Sequence, residues 1–196
     1  VFFSDYKDTG YVYHVAAITD LKDILENGIK YNDKNTYIDK YLGFHKYIDS
    51  LKNEEIPHWV QREKAIYASM NYSTDHQWHS HSVVLGLKVN PSKCWIANES
   101  LANKIYEPFI LQHIDMFSDA RDYLDCHGER IIRKYWDTSL SFKDNLKLRK
   151  DRKEGYDEEV LIFHSIPPDD IKPIYIISDH EFTTIENWIK YFKGED

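Results

Sequence analysis

A chain of 196 residues with 42% hydrophobic and 15% aromatic content, 7 glycines and 6 prolines is long enough to bury a core and too apolar for a disordered tail. Its 33 acidic against 25 basic residues give a formal charge of −8, which excludes broad, sequence-blind binding to nucleic acid, because neutralising phosphates takes clustered cations. No apolar run approaches the roughly 18–20 residues a membrane helix needs.

The opening Val1-Phe2-Phe3-Ser4-Asp5 has neither the charged region nor the apolar stretch of a signal peptide. Cys94 and Cys126 lie far apart without a metal-type partner cysteine, which predicts reduced thiols and a cytoplasmic protein. With no repeat and no low-complexity linker, residues 1–196 read as a single domain.

The first element is a strand over about 10–17, rich in β-branched and aromatic residues. A short helix follows from Asp20 to Asn27, with Thr19 or Asp20 as its cap, Leu21, Ile24 and Leu25 on one side, and Gly28 as the left-handed stop. A second helix over 37–51 places Tyr41, Phe44, Ile48 and Leu51 together. Beyond Pro57, strands are predicted over 65–70, 83–89 and 94–97, then a helical turn or two over 99–106 and broken helix from 109 to 148. Late strands over 159–163 and 174–177 precede a final helix over 182–192, expected to bury Ile185, Trp188, Ile189 and Phe192. Helices interspersed with strands, without a regular βαβ order, predict an α+β fold built on a split, mixed or antiparallel sheet with flanking helices.

The residues that carry chemistry lie on three of these strands. Glu158 and Glu159 start an apolar strand, and alternation sends them to opposite faces, one to solvent and one to a cleft. Glu159 then shares its face with Leu161 and Phe163, where a carboxylate can stabilise an oxocarbenium-like charge. The plain alternative is a pair of solvated acids. His14, between Tyr13 and Val15, is either a ligand-binding imidazole or a hydrogen-bonded core residue, and Tyr67 either stacks on a ligand or packs. The basic run Lys143, Lys147, Arg149, Lys150, Arg152 and Lys153 is either a local patch or a solvated helix face and loop.

Tyr13-His14-Val15 followed by Leu21-x-x-Ile24-Leu25-x-x-Gly28-Ile29 resembles the opening of ADP-ribosyltransferase domains, including the DNA-modifying toxins of the DarT kind, and of RNA 2′-phosphotransferases. Ile66-Tyr67-Ala68-Ser69 is similar to a strand of poly(ADP-ribose) polymerase relatives. Glu159-Val160-Leu161-Ile162 with Ile166-Pro167-Pro168 resembles the strand that carries their catalytic glutamate, and Val84 to Val89 with Asn90-Pro91-Ser92-Lys93-Cys94-Trp95 resembles their connecting strand-turn-strand. The resemblance implies an ADP-ribosyltransferase-like fold and NAD as substrate, its ADP-ribose passing to a protein or nucleic-acid acceptor. It also implies that His14 bonds a ribose hydroxyl, Tyr67 stacks on nicotinamide, Ser69 assists and Glu159 stabilises the ribose cation. By the same resemblance Asp157 and Glu158 help select the acceptor, as does the loop with the basic run. Arg62 is carried as a phosphate ligand, with Arg121 and Arg130 as competitors for that role. The chain departs from the poly(ADP-ribose) polymerase pattern at Val15, where glycine is usual.

A second constellation, Asp75-His76-Gln77-Trp78-His79-Ser80-His81, brings three imidazoles into one loop but has neither the helical spacing of a metalloprotease nor an assignable carboxylate. It reads first as an exposed loop, with Trp78 as a lid. The leading expectation is thus an NAD-dependent transferase with no metal. The alternatives are a nucleotide-binding module of the same fold without turnover and, third, a hydrolase using a metal at His76, His79 and His81.

Overall fold

Glycine and proline punctuate the chain at Gly10, Gly28, Pro91 and Pro167, and the regular elements fall between these breaks. The computed structural model describes residues 3–32, 39–71 and 79–195. In chain order it contains the helical turn α1 (Tyr6–Thr9), strand β1 (Val12–Ala17), helices α2 (Leu21–Asn27) and α3 (Asp39–Ser50), and strands β2 (Ile66–Ala68), β3 (Ser82–Leu87) and β4 (Cys94–Asn98). Helices α4 (Glu99–Leu111), α5 (Asp119–Tyr123) and α6 (Glu129–Thr138) follow. Then come β5 (Leu140–Ser141), α7 (Phe142–Leu148), β6 (Glu158–Ile162), β7 (Ile171–Ser178), β8 (Glu181–Thr184) and α8 (Ile185–Lys193). The chain is of the α+β class, as its pattern predicts. No helix among the described residues is long and apolar enough to cross a membrane.

The chain forms two compact units, one of Val1–Lys30, Ala68–Asn90 and His164–Asp196, the other of Tyr31–Tyr67 and Pro91–Phe163. Composition carries no mark of this division, because the chain passes from one unit to the other several times.

The first unit is organised by an antiparallel sheet in the order β1-β3-β7-β8. The central strand β3, Ser-Val-Val-Leu-Gly-Leu, is buried along its whole length, as a strand covered on both faces must be. Its register with β7 slips between Val84 and Leu85, where Pro173 stands opposite Leu85 and lacks the N–H that a regular ladder requires. Phe3, Tyr13, Val84 and Ile177 form the core here, with Phe3 edge-on to Tyr13 at 4.8 Å. The Tyr13 hydroxyl donates to the Ser4 carbonyl at 2.6 Å.

Gly28 ends α2 with φ +76° and ψ −172°, a region open to glycine alone. A Cβ there would lie 2.3 Å from the Ile166 carbonyl oxygen, so the absent side chain lets Ile29 pair with Ile166. Asp20 stands at the N-cap of α2, one of the two expected residues, but its side chain makes no capping bond, and a 3-10 turn over Ile18–Asp20 runs directly into the helix.

The C-terminal segment differs more. Asp179 and His180, at φ +49° and +66°, form a two-residue turn that pairs Ile177 with Phe182 and Ser178 with Glu181, so a strand stands where helix is predicted. That turn takes two left-handed residues, normally Asn-Gly or Asp-Gly, and Asp-His hides it. The helix starts only at Ile185, where the Thr184 hydroxyl accepts from Asn187 N–H at 3.1 Å. It buries none of the four residues expected: Ile189 is 49% and Phe192 75% exposed, and Phe192 stacks on Trp188 of its own helix.

The second unit has a sheet in the order β2-β6-β4-β5, with β4 and β6 buried throughout and paired antiparallel. Its core gathers Phe44 and Ile48 from α3, Leu101, Ala102 and Ile105 from α4, Ile132, Tyr135 and Trp136 from α6, and Leu161 from β6. Helix α4 outruns its expected length because apolar residues continue past Tyr106 to Leu111. Trp136 fixes α6 to α3 through its indole N–H, 2.8 Å from the Ile48 carbonyl. Cys94 is buried, which pushes its thiol up to about 12, whereas Cys126 is exposed; neither is in a disulfide among the described residues.

Candidate functional site

The second unit contains a buried, charged cluster centred on Arg62. Its position follows from a local device: residues Arg62–Lys64 form a 3-10 turn whose leading amides need acceptors. The Asp49 carboxylate on α3 supplies both, accepting from Arg62 N–H at 2.8 Å and Glu63 N–H at 3.0 Å. Tyr67 closes the turn from the other end, its hydroxyl donating to the Arg62 carbonyl at 2.5 Å. From this turn the Arg62 side chain runs into the core, where the residue is 4% exposed.

Glu159 meets it there. The carboxylate, also 4% exposed, receives Arg62 Nη2 at 2.9 and 3.2 Å and the Tyr135 hydroxyl at 2.6 Å. Tyr135 in turn accepts from Arg62 Nε at 3.2 Å, and His45 Nδ1 lies against Nη1. A guanidinium has no acceptor to offer, so His45 accepts at Nδ1 and its proton resides on Nε2. Aromatic faces complete the enclosure: the guanidinium carbon is 5.1 Å from the Tyr67 ring centre and 5.7 Å from those of Phe44 and Tyr135.

The electrostatics follow from this packing. Burial by itself would pull the Arg62 guanidinium down, and Glu159, Tyr67 and Tyr135 beside it carry it well above its ordinary value instead. Burial, with the Glu159 charge next to it, pushes the Tyr135 phenol far up, so it stays a donor at every ordinary pH. At the first position of α4, Glu99 is raised to about 7, by burial first and then by Glu159 and Asp157, with Arg62 opposing.

The loop ahead of β6 is tied to the start of α4. The Asn98 side chain caps α4 by accepting from Ser100 N–H at 3.2 Å, also accepts from Asp157 N–H at 3.3 Å, and donates to the Gly155 carbonyl at 3.3 Å. Asp157 is exposed, but Glu158 is buried like Glu159. The expectation that one acid of this pair faces solvent is therefore corrected: alternation does send them to opposite faces, but β6 is covered on both.

Of the residues singled out in the sequence, the structure brings together Arg62, Tyr67 and Glu159. Each guanidinium nitrogen of Arg62 is engaged within the cluster rather than presented to a phosphate. The Tyr67 ring lies against His45, at 5.4 Å and 27°, and against Arg62. His14 and Ser69 belong to the first unit. His14 is half-buried on β1 opposite Leu85, and Ser69 is buried, its hydroxyl donating to the Asn71 carbonyl at 2.6 Å. Arg121 and Arg130 are exposed. The basic run meets carboxylates and carbonyls of its own neighbourhood: Lys147 pairs with Asp144, Arg149 with Asp151, and Lys150 bonds the Thr138 carbonyl. His76 and Trp78 lie outside the described residues, His79 and His81 are exposed, and no metal-holding group of side chains occurs among the described residues.

Sequence reading missed His45, Asp49, Glu99 and Tyr135. Tyr135 had a signal: Ile131, Ile132, Tyr135 and Trp136 recur at helical spacing, and a tyrosine turned inward needs an acceptor. Asp49 and Glu99 had none, because their partners are fixed by tertiary packing alone.

No protein-family model, no curated protein and no solved structure matches the chain.

Proposed function

We propose that the protein is an NAD-dependent ADP-ribosyltransferase of the cytoplasm, which breaks the nicotinamide–ribose bond and passes ADP-ribose to a protein or nucleic-acid acceptor. The observation that carries this reading is the Glu159 carboxylate, fixed at the start of β6 by Arg62 and Tyr135. When the C1′–N bond breaks, its electron pair leaves with neutral nicotinamide and the ribose acquires positive charge. A carboxylate locked by hydrogen bonds in a low-dielectric surrounding stabilises that charge without having to reorganise. Tyr67 brings an aromatic ring to the same cluster, and α+β architecture with two four-stranded sheets supports the expected split-sheet fold. The reading rests on the cluster of the second unit alone.

The test is nicotinamide release from NAD by the purified chain, with cell lysate as a source of acceptors and Glu159→Gln alongside. Release by the wild type that falls at least about 100-fold in a folded, NAD-binding Glu159→Gln protein supports the reading. No release with or without lysate overturns it.

A second reading is a nucleotide- or ADP-ribose-binding module without turnover. It is favoured by one specific observation: Arg62 and Tyr135 already occupy the Glu159 carboxylate inside the core. NAD or ADP-ribose binding by calorimetry, with no nicotinamide released, is its signature.

A further inference from the structure

The β4–β6 ladder does not stop at the strand ends. Ala97 stands opposite Glu159 and Asn98 opposite Glu158, and the Glu99 N–H donates to the Asp157 carbonyl at 2.7 Å, which carries the pairing one rung further. Side chains two apart on an extended chain share a face, so Asp157 emerges on the face that carries Glu159, and Glu99, the first residue of α4, is paired with Asp157 and feels the charges of Glu159, Asp157 and Arg62. Glu99 is therefore the diagonal neighbour of Glu159, a position within reach of a long side chain. The acids grade outward: Glu159 is buried, Glu99 half-buried and Asp157 exposed.

The charges are uneven. The groups facing Glu99 are Glu159 and Asp157 from the β6 side and Arg62 from the turn ahead of β2, with the N-terminal end of its own helix α4 favouring the anion. Arg62 already forms a close ion pair with Glu159, so a second carboxylate beside that pair has no cation of its own among these neighbours. Such a carboxyl exchanges a proton near neutrality, which is what a general base requires.

We propose that Glu99 is the general base of the transfer and that the acceptor is a neutral O–H or N–H group rather than a carboxylate. This rests on the transferase reading above. In the step, an acceptor oxygen or nitrogen forms a bond to C1′ as the C1′–N bond to nicotinamide breaks. The electron pair of the broken bond leaves with nicotinamide, Glu159 stabilises the ribose cation between them, and the acceptor's proton passes to Glu99. Asp157, at the exposed end of the row, returns it to solvent.

The experiment compares wild type, Glu99→Gln and Glu99→Asp with NAD, using water and methanol as neutral acceptors and sodium azide as an acceptor that has no proton to lose. Glu99→Gln mimics the protonated acid and is expected to fold; thermal unfolding of each variant checks this. We expect Glu99→Gln to lose about 10²–10⁴-fold in the formation of ADP-ribose and its methyl glycoside. Azide should restore nicotinamide release with ADP-ribosyl azide as product, and Glu99→Asp should recover part of the water reaction. The limb near neutral pH in the wild-type rate should vanish in Glu99→Gln. A Glu99→Gln protein as fast as wild type, or one whose loss azide does not repair, overturns the assignment to Glu99 and leaves the transferase reading in place. A wild type that releases no nicotinamide overturns both.

Discussion

Glu159 and Arg62 stand 97 residues apart in the sequence and meet at 2.9 Å, each side chain about 5% exposed. Removing either partner leaves the other charged and without a counter-ion in the core, a change that typically costs about 3–5 kcal/mol. Arg62→Met and Glu159→Leu should each lower stability by about that amount, whereas the double variant should lose less than the sum, with a coupling above about 1 kcal/mol. A urea-denaturation cycle on the four proteins measures this; strict additivity would contradict the pairing.

Tyr135 tests the same cluster more gently. Tyr135→Phe removes the hydroxyl that donates to Glu159 and accepts from Arg62, with little change in volume. A loss of about 1.5–3 kcal/mol is expected, since the bonds are to charged groups. If the cluster also serves catalysis, nicotinamide release should fall more steeply than stability does, at a temperature where the variant is fully folded.

Glu99 gives a pH dependence whose sign can be worked out. Its folded value near 7 lies above the ordinary glutamate value of 4.5, so between these two pH values the folded chain keeps a proton that the unfolded chain has lost. Stability from this group is therefore full below about pH 4.5, declines as pH rises toward 7 and levels off above it. Glu99→Gln should remove that decline and gain about 1–3 kcal/mol at pH 8 while matching wild type at pH 4. Thermal melts of both proteins across that range decide it, and parallel curves would refute the raised value.

Gly28 tests a backbone requirement. A Cβ at this position meets the Ile166 carbonyl at 2.3 Å, and the backbone angles are themselves closed to alanine. Gly28→Ala should cost at least about 2 kcal/mol, more than a typical substitution. The exposed face of α8 provides the contrast: Ile189→Ser and Phe192→Ser should stay within about 0.5 kcal/mol of wild type.

Local sequence determined whatever depends on neighbours along the chain. Gly28 marks the end of α2 because no other residue takes its combination of φ and ψ, and Val83 to Leu87 mark a strand because a continuous β-branched and apolar run fits a sheet covered on both faces. Glu159 was legible as a carboxylate at the start of an apolar strand, and alternation correctly assigned it to the Leu161 face. The β7–β8 turn was hidden because Asp179-His180 adopts angles that its residue types seldom signal. The apolar residues of α8 follow helical spacing, but Ile185 and Trp188 are only half-buried and Ile189 and Phe192 stay exposed, so periodicity promised a full burial that packing does not provide. Only tertiary structure decided that Glu159 meets Arg62 and Tyr135, that Asp49 anchors the turn carrying Arg62, and that Glu99 stands on the diagonal from Glu159. Those contacts join elements distant in sequence, and a charge has no periodicity to announce which opposite charge will share its desolvated site.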